Sequence, residues 1–256
     1  MAYDGSAFHG FAENAGVPTV AGRLRIALEQ VLQHPVELTC AGRTDTGVHA
    51  HGQVVTFDSD RVPSEAALRD SLNALVGPEV AVRRVDRVAG DFDARFSARW
   101  RRYRYHVLTG AVPDPFLAGT SWWVREPLEV DAMDVAAQVV VGEHDFSSFC
   151  RRPRTDPSEP AVSLVRRVHH ARWSAPGEDR VATFEILASA FCHQMVRSIV
   201  GALVAVGRGR LDAEGLVALL AARDRSGAPN LAPPHGLFLD AVGYDDLVPP
   251  PAALAR

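Results

Sequence analysis

The stretch Cys40-Ala41-Gly42-Arg43-Thr44-Asp45-Thr46-Gly47-Val48-His49-Ala50 breaks a strand-like pattern with residues better suited to chemistry than to packing. A single carboxylate, Asp45, stands between two threonines, Arg43 precedes it by two positions, and Gly42 and Gly47 bracket the set. Glycine serves where a backbone takes positive φ or lets a ligand come close. A loop of this kind can hold a carboxylate up to a substrate as nucleophile or base. The same residues also make an ordinary solvated turn, held by local bonds from side chain to backbone. A third reading uses Asp45, His49 and His51 as metal ligands of a phosphohydrolase. No H-E-x-x-H and no further cluster of aspartates accompanies them.

The elements that must position this loop are readable on either side. Val36-Glu37-Leu38-Thr39-Cys40 reads as a short strand before it and Gln53-Val54-Val55-Thr56-Phe57 as another after it. Upstream, Thr19 can cap a helix whose apolar positions Leu24, Leu28, Val31 and Leu32 fall at helical spacing and which ends near His34-Pro35. Downstream, Pro63-Ser64 opens a second helix with Leu68, Leu72, Leu75 and Val76 on one face, stopped by Gly77-Pro78, and a strand follows from Val80 to Val85. With a strand at Tyr3, the order is the split βαβ of ferredoxin-like domains. The later chain repeats that order. Strands are expected through Tyr103–Leu108, at Leu164–Trp173, at Val181–Ser189 and at Leu237–Val242, with helices at Asp131–Val141 and Cys192–Val206. The reading is α+β, with an N-terminal half over 1–98, a C-terminal half over 99–247 and a tail over 248–256. The segment from Arg151 to Pro160 reads as a loop.

Composition narrows the classes. A chain of 256 residues with 47% apolar content can bury a full core. It contains no apolar run long enough for a membrane span, and Met1-Ala2-Tyr3-Asp4 lacks the start of a signal peptide. Cys40, Cys150 and Cys192 lie far apart with no C-x-x-C, which fits a reducing cytoplasm and argues against a zinc knuckle. All 27 basic residues are arginine, so Schiff-base chemistry and a lysine base are excluded.

A net charge of −4 runs against nucleic-acid binding, but distribution matters more than the sum. Arg95, Arg99, Arg101, Arg102 and Arg104 follow one another with no acid among them, and Trp100, Tyr103 and Tyr105 interleave with them. Aromatic rings and guanidinium planes together stack unpaired bases. Further clusters are Arg151, Arg152 and Arg154, and Arg166 with Arg167. A non-catalytic RNA-binding module would also use such a surface, but it leaves the Asp45 loop without a purpose.

The run A-G-R-T-D-T-G-V-H-A resembles the signature of the TruA family of tRNA pseudouridine synthases. Three further segments resemble family motifs in the family's order. They are Tyr3-Asp4-Gly5-Ser6, then Asp91 to Ala98 followed by Arg102-Tyr103-Arg104-Tyr105, and then Phe191 to Gly201 with its M-V-R at Met195-Val196-Arg197. The resemblance implies the pseudouridine synthase fold, with two ferredoxin- or RRM-like halves sharing a largely antiparallel sheet and a central active-site cleft. It implies a cofactor-free, metal-free isomerase acting on uridines 38, 39 and 40 in the anticodon arm of tRNA, working as a cytoplasmic homodimer. Asp45 takes the place of the catalytic carboxylate, Tyr103 that of the tyrosine that stacks on the flipped base, and Arg197 that of the basic residue paired with the carboxylate. Arg43 matches the loop arginine that holds or replaces the flipped nucleotide, and Arg95, Arg102 and Arg104 are expected to contact RNA. Three departures stand out, one of them Leu164-Val165-Arg166, where a Pro or Thr before V-R is more usual. Only Met1-Ala2 precede Y-D-G, where family members have a further strand, and His9-Gly10-Phe11-Ala12 replaces the usual G-W-Q.

Overall fold

The computed structural model describes residues 1–61, 63–152 and 162–245. The expected tail over 248–256, and the expected Arg151–Pro160 loop beyond Arg152, lie outside the described residues. Two compact units form, Met1–Arg99 with the return segment from Phe238 onward, and Trp100–Leu237.

The first unit runs β1 (Ala2–Tyr3), α1 (Val20–Leu32), β2 (Thr39–Cys40), β3 (His49–Ala50), β4 (Val55–Thr56), α2 (Glu65–Val76) and β5 (Val80–Ala81). Thr19 caps α1 as its composition predicts, its side chain accepting from the Gly22 amide at 3.3 Å. Leu24, Leu28 and Leu32 form the buried stripe of α1, and Gln33 ends the helix in a left-handed conformation. Ser64 caps α2 in the same way and Leu68, Leu72 and Val76 are buried. The two helices pack against each other.

The strands beside the Asp45 loop are shorter than expected. Only Thr39–Cys40 and Val55–Thr56 form a ladder, and they pair with each other as a separate antiparallel ribbon. The loop between them also contains β3, a two-residue strand that the glycine-bracketed pattern hid. β3 pairs antiparallel with β1, Tyr3 opposite Ala50, and β1 also pairs with β5. The end of the Asp45 motif is thus built into a sheet rather than hanging from one.

The second unit runs β6 (Trp100–Thr109), β7 (Trp122–Val124), α3 (Val130–Ala137), β8 (Gly142–Asp145), β9 (Val165–Ser174), β10 (Val181–Ala188), α4 (Met195–Gly207) and α5 (Ala213–Ala222). The chain then returns as β11 (Leu237–Gly243), which pairs parallel to β3 through Phe238 and Leu239. Within the second unit, β6, β10, β9 and β8 form consecutive antiparallel pairs, and β7 lies parallel to β6. Strands β7 and β8 and helix α5 had no clear sequence signal, being short or, in α5, apolar with few polar positions to show a period. Helix α4 is apolar nearly all round, and Met195, Ile199, Val200 and Leu203 are fully buried.

The cysteines need a correction. Cys150 and Cys192, 42 residues apart, are disulfide-bonded with their α-carbons 5.7 Å apart, within normal bridging range. Cys40 is a free thiol. Sequence spacing carried no sign of the pair because tertiary folding alone brings Cys150 beside the turn before α4. Among the described residues no helix is long and apolar enough to cross a membrane.

Candidate active site

Asp45 is half-buried on its loop, next to buried Thr44 and exposed Arg43. The backbone turns tightly here, the Val48 amide donating to the Asp45 carbonyl at 3.1 Å, and Gly47 takes a φ of 75°. Three anchors hold the loop on its Thr44 side. The Phe11 amide donates to the Thr44 carbonyl at 3.0 Å, the Tyr3 hydroxyl shares a hydrogen bond of 2.7 Å with Thr44 Oγ1, and Gln53 Nε2 donates to the Gly42 carbonyl at 2.7 Å.

The Tyr3-Asp4-Gly5 segment therefore acts on the loop directly. A β-carbon on Gly5 would land on the Val48 carbonyl, so only glycine lets the two backbones approach this closely. Gly5 also donates its amide to His49 Nδ1 at 3.1 Å. The Tyr3 phenol is pushed up to about 12, mainly by burial, with hydrogen bonds from Thr44 and Gln53 acting the other way.

Gln53 is the residue that sequence reasoning missed. It is wholly buried, its amide also lies 3.4 Å from the Tyr3 hydroxyl, and its Oε1 accepts from Val54 N at 3.2 Å. The available signal was a polar side chain heading an apolar run, because a buried amide must find partners.

Arg43 and Arg95 come together near Cys40. Burial raises that thiol's pKa, and both guanidiniums pull it back down. Arg95 is exposed, with its Cζ 5.3 Å from the centre of the Phe96 ring, which is itself 79% exposed.

In the second unit, β6 sorts its residues by face. Arg101, Tyr103, Tyr105 and Val107 are buried, while Arg102, Arg104 and His106 are half-buried on the other face. Tyr103 and the arginines Arg102 and Arg104 thus cannot meet one ligand from the same side of this strand. Arg104 donates to Glu185 Oε2 at 3.0 Å, its neighbour across the strand pair, so RNA contact there would have to share that carboxylate's claim.

Tyr103 and Tyr105, two residues apart on one face of β6, differ in their surroundings. Tyr105 is fully buried and donates to the Pro233 carbonyl at 2.8 Å. Tyr103 meets the Phe191 ring edge-on at 5.0 Å, in the turn that leads to α4. Arg197 is half-buried in the first turn of α4, its Nε donating to the Ala232 carbonyl at 2.8 Å.

The histidines of the metal reading are otherwise engaged. His49 is buried and stacked on Phe238 at 4.7 Å, and His51 stacks on the same ring at 4.8 Å with Nδ1 3.4 Å from Asp240. Among the described residues no group of three His, Cys, Asp or Glu side chains is arranged to hold a metal.

A model of the tRNA pseudouridine synthase family matches residues 1–97 and 136–245 of this chain. The chain belongs to that family. It is 44% identical over 237 residues to the tRNA pseudouridine synthase A of Xanthomonas oryzae pv. oryzae, spanning 92% of this chain and 90% of the relative. The enzyme of the same name from Chromobacterium violaceum is 44% identical over 245 residues, with 95% and 91% covered. That from Caulobacter sp. is 39% identical over 244 residues, with 95% of each covered. A solved chain from a Cbf5-Nop10-Gar1 complex aligns at 12% identity and a TM-score of 0.32, covering 81% of this chain and 54% of that one, and the assignment rests on the sequence relatives. The family carries the resemblance from motifs to the length of the chain, with the α+β pseudouridine synthase fold and an isomerase's activity. It leaves the phosphohydrolase and bare RNA-binding readings without support.

Proposed function

We propose that this tRNA pseudouridine synthase isomerises uridines at positions 38, 39 and 40 of the anticodon arm, with Asp45 as the working carboxylate. The observation that carries this reading is the anchoring of the Asp45 loop. Tyr3, Gln53 and Phe11 fix the loop on the Thr44 side of Asp45, Gly5 holds His49 beyond it, and such rigid support is what a carboxylate needs when geometry sets the rate.

Isomerisation breaks the bond from uracil N1 to ribose C1′ and makes one from C5 to C1′. The proton lost from C5 is balanced by one gained at N1, so no oxidant, reductant or cofactor is needed. Asp45 serves either by attacking C1′ or by removing a ribose proton to give a glycal, and both routes require it ionised. The uridine must leave its stack first, since the reacting atoms lie inside a paired helix. Tyr103 stacks on the flipped base and takes the C5 proton. Arg197 supplies the positive charge that keeps the carboxylate working once RNA excludes water. Arg43 holds the flipped nucleotide, and Arg95, beside the exposed Phe96 ring, offers an unpaired base both a cation and a π-face. Arg102 and Arg104, on the other face of β6, serve the RNA backbone rather than the reacting base.

The enzyme works in the cytoplasm as a homodimer, and a monomer by light scattering at working concentration would count against that assembly. The deciding experiment on the site is Asp45→Asn. Pseudouridine formation should disappear while tRNA affinity stays within a few fold, because the carboxylate does chemistry and arginines carry binding. Near wild-type turnover would remove Asp45 from its role, and mapping the modified sites in total RNA would test positions 38 to 40.

A further inference from the structure

A cavity of about 610 Å³ in the second unit is lined by four arginines, Arg151, Arg152, Arg223 and Arg225, against one carboxylate, Asp224. That carboxylate is committed locally, accepting from the Ser226 amide at 2.9 Å and from its hydroxyl at 2.5 Å. Nearby Asp145 offsets part of the charge, lying 3.6 Å from Arg223. Even with both carboxylates counted, four cations face two anions among the described residues.

Arg225 shows this most clearly. Its Nη2 donates to Gln194 Oε1 at 2.5 Å, while its Nη1 is buried with no hydrogen-bond partner among the described residues. A buried guanidinium proton without an acceptor is costly unless a ligand supplies one. Burial, Arg151 and Arg197 all destabilise its charged form, which puts the Arg151 and Arg197 guanidiniums within electrostatic reach of Arg225. The cavity also lies at the start of α4, whose first residue is capped by no side chain, so the positive end of that helix adds to the field.

The site is built rather than accidental. The Arg151 amide donates to the His193 carbonyl at 2.9 Å, and the Cys150–Cys192 disulfide ties the same two segments together. The cavity wall contains no aromatic ring, so it offers a base nothing to stack on. Planar guanidinium forks instead match the oxygens of a phosphate group.

We propose that this cavity is a phosphate subsite for the RNA backbone, placing one phosphodiester of the bound tRNA beside the helix that carries Arg197. The proposal rests on the chain's reading as a tRNA-modifying enzyme. It assigns Arg151 and Arg225 to phosphate binding, with Arg152 and Arg223 completing the positive wall.

The test uses the full chain and an unmodified anticodon stem-loop RNA, with Arg151→Gln and Arg225→Gln made singly and together. Equilibrium binding is measured across a salt series. Each substitution should weaken binding roughly tenfold, the loss of about one charge-assisted hydrogen bond. Each should also flatten the slope of log affinity against log salt by about 1. Arg151 is exposed, so Arg151→Gln reports even if Arg225→Gln fails to fold. An unchanged slope with Arg151→Gln overturns the proposal. Calorimetric titration with inorganic phosphate separates the source of the anion. Tight phosphate binding that vanishes in the variants while the RNA salt slope stays constant would assign the cavity to free phosphate and overturn the RNA subsite. Pseudouridine formation by the wild-type chain is scored alongside. RNA binding that needs these arginines in a chain that makes no pseudouridine would defeat the enzymatic reading alone, and pseudouridine formation with insensitive binding would defeat the subsite alone.

Discussion

Arg197 and Ala232 hold each other twice: the Arg197 Nε donates to the Ala232 carbonyl at 2.8 Å, and the Ala232 amide donates to the Arg197 carbonyl at 3.2 Å. This reciprocal pair ties the first turn of α4 to the loop before β11 and fixes the guanidinium by its Nε edge. Any further partner meets the Nη end. Ala232 is fully buried, so removing its donor leaves a carbonyl stranded.

Arg197→Met should therefore lower stability by about 1–3 kcal/mol, read by chemical denaturation, and cut the single-turnover rate by more than about tenfold. Arg197→Lys keeps the charge but loses the planar fork that lets one side chain serve Ala232 and a second group at once. It should recover part of the rate and little of the stability. A methionine variant with the parent's rate and the parent's denaturation midpoint would show that neither role is real.

The tyrosines of β6 give a second test. Tyr105→Phe removes the bond to the Pro233 carbonyl and should cost about 1 kcal/mol with the single-turnover rate unchanged. Gly236→Ala should cost about 1–3 kcal/mol, because a β-carbon there would sit 2.7 Å from Tyr105 Cζ and 2.9 Å from the His106 carbonyl. Tyr103→Phe should instead slow the chemical step by about 10²-fold, the usual size of a lost proton-transfer group. If the rate loss fell on Tyr105 rather than Tyr103, the two assignments would have to be exchanged.

These contrasts mark where the sequence could be read and where it could not. Helices α1 and α2 were legible to within a residue or two, because Thr19 and Ser64 cap them and leucines repeat at helical spacing. The Asp45 stretch was legible as a loop between two strands, but not its inner strand β3, since two residues carry no period. Tyr103 and Tyr105 share a strand face, so periodicity alone treats them alike, and the Phe191 ring beside Tyr103 and the Pro233 acceptor of Tyr105 tell them apart. The Cys150–Cys192 bond joins segments distant in sequence and leaves no local pattern to find, and the cluster at Arg151 and Arg152 was visible but not its meeting with Arg223 and Arg225.

Gln53 supplies the prediction for positioning. Gln53→Leu removes the donor to the Gly42 carbonyl and loosens the loop that carries Asp45. A shift of about 1 Å in a catalytic group can cost about 10²-fold, so kcat should fall by that order while KM stays within a few fold. Gln53→Glu keeps the shape but offers the Gly42 carbonyl no amide donor, and should fail in the same way. A loss confined to KM would show that Gln53 acts on RNA binding instead of on the loop.

The last prediction follows from the Tyr3 phenol, which burial holds near 12 against an ordinary value of 10. The folded state then keeps this proton at a pH where the unfolded chain releases it. Stability falls as pH rises wherever the native state binds more protons than the unfolded one. The contribution of Tyr3 is complete below about pH 10 and is lost as pH climbs through about 12. A displacement of this size corresponds to roughly 2–3 kcal/mol. Tyr105 is also pushed up by burial, so the wild-type chain titrates two phenols in the same direction. Tyr3→Phe should remove one of them: urea unfolding between pH 9 and 11 should show a shallower fall in stability than wild type, on top of a loss of about 1–3 kcal/mol at neutral pH from the stranded Thr44 and Gln53 groups. Parallel curves for the two proteins would mean that the Tyr3 phenol titrates alike in the folded and unfolded chains, and that its bond to Thr44 does not depend on the burial described here.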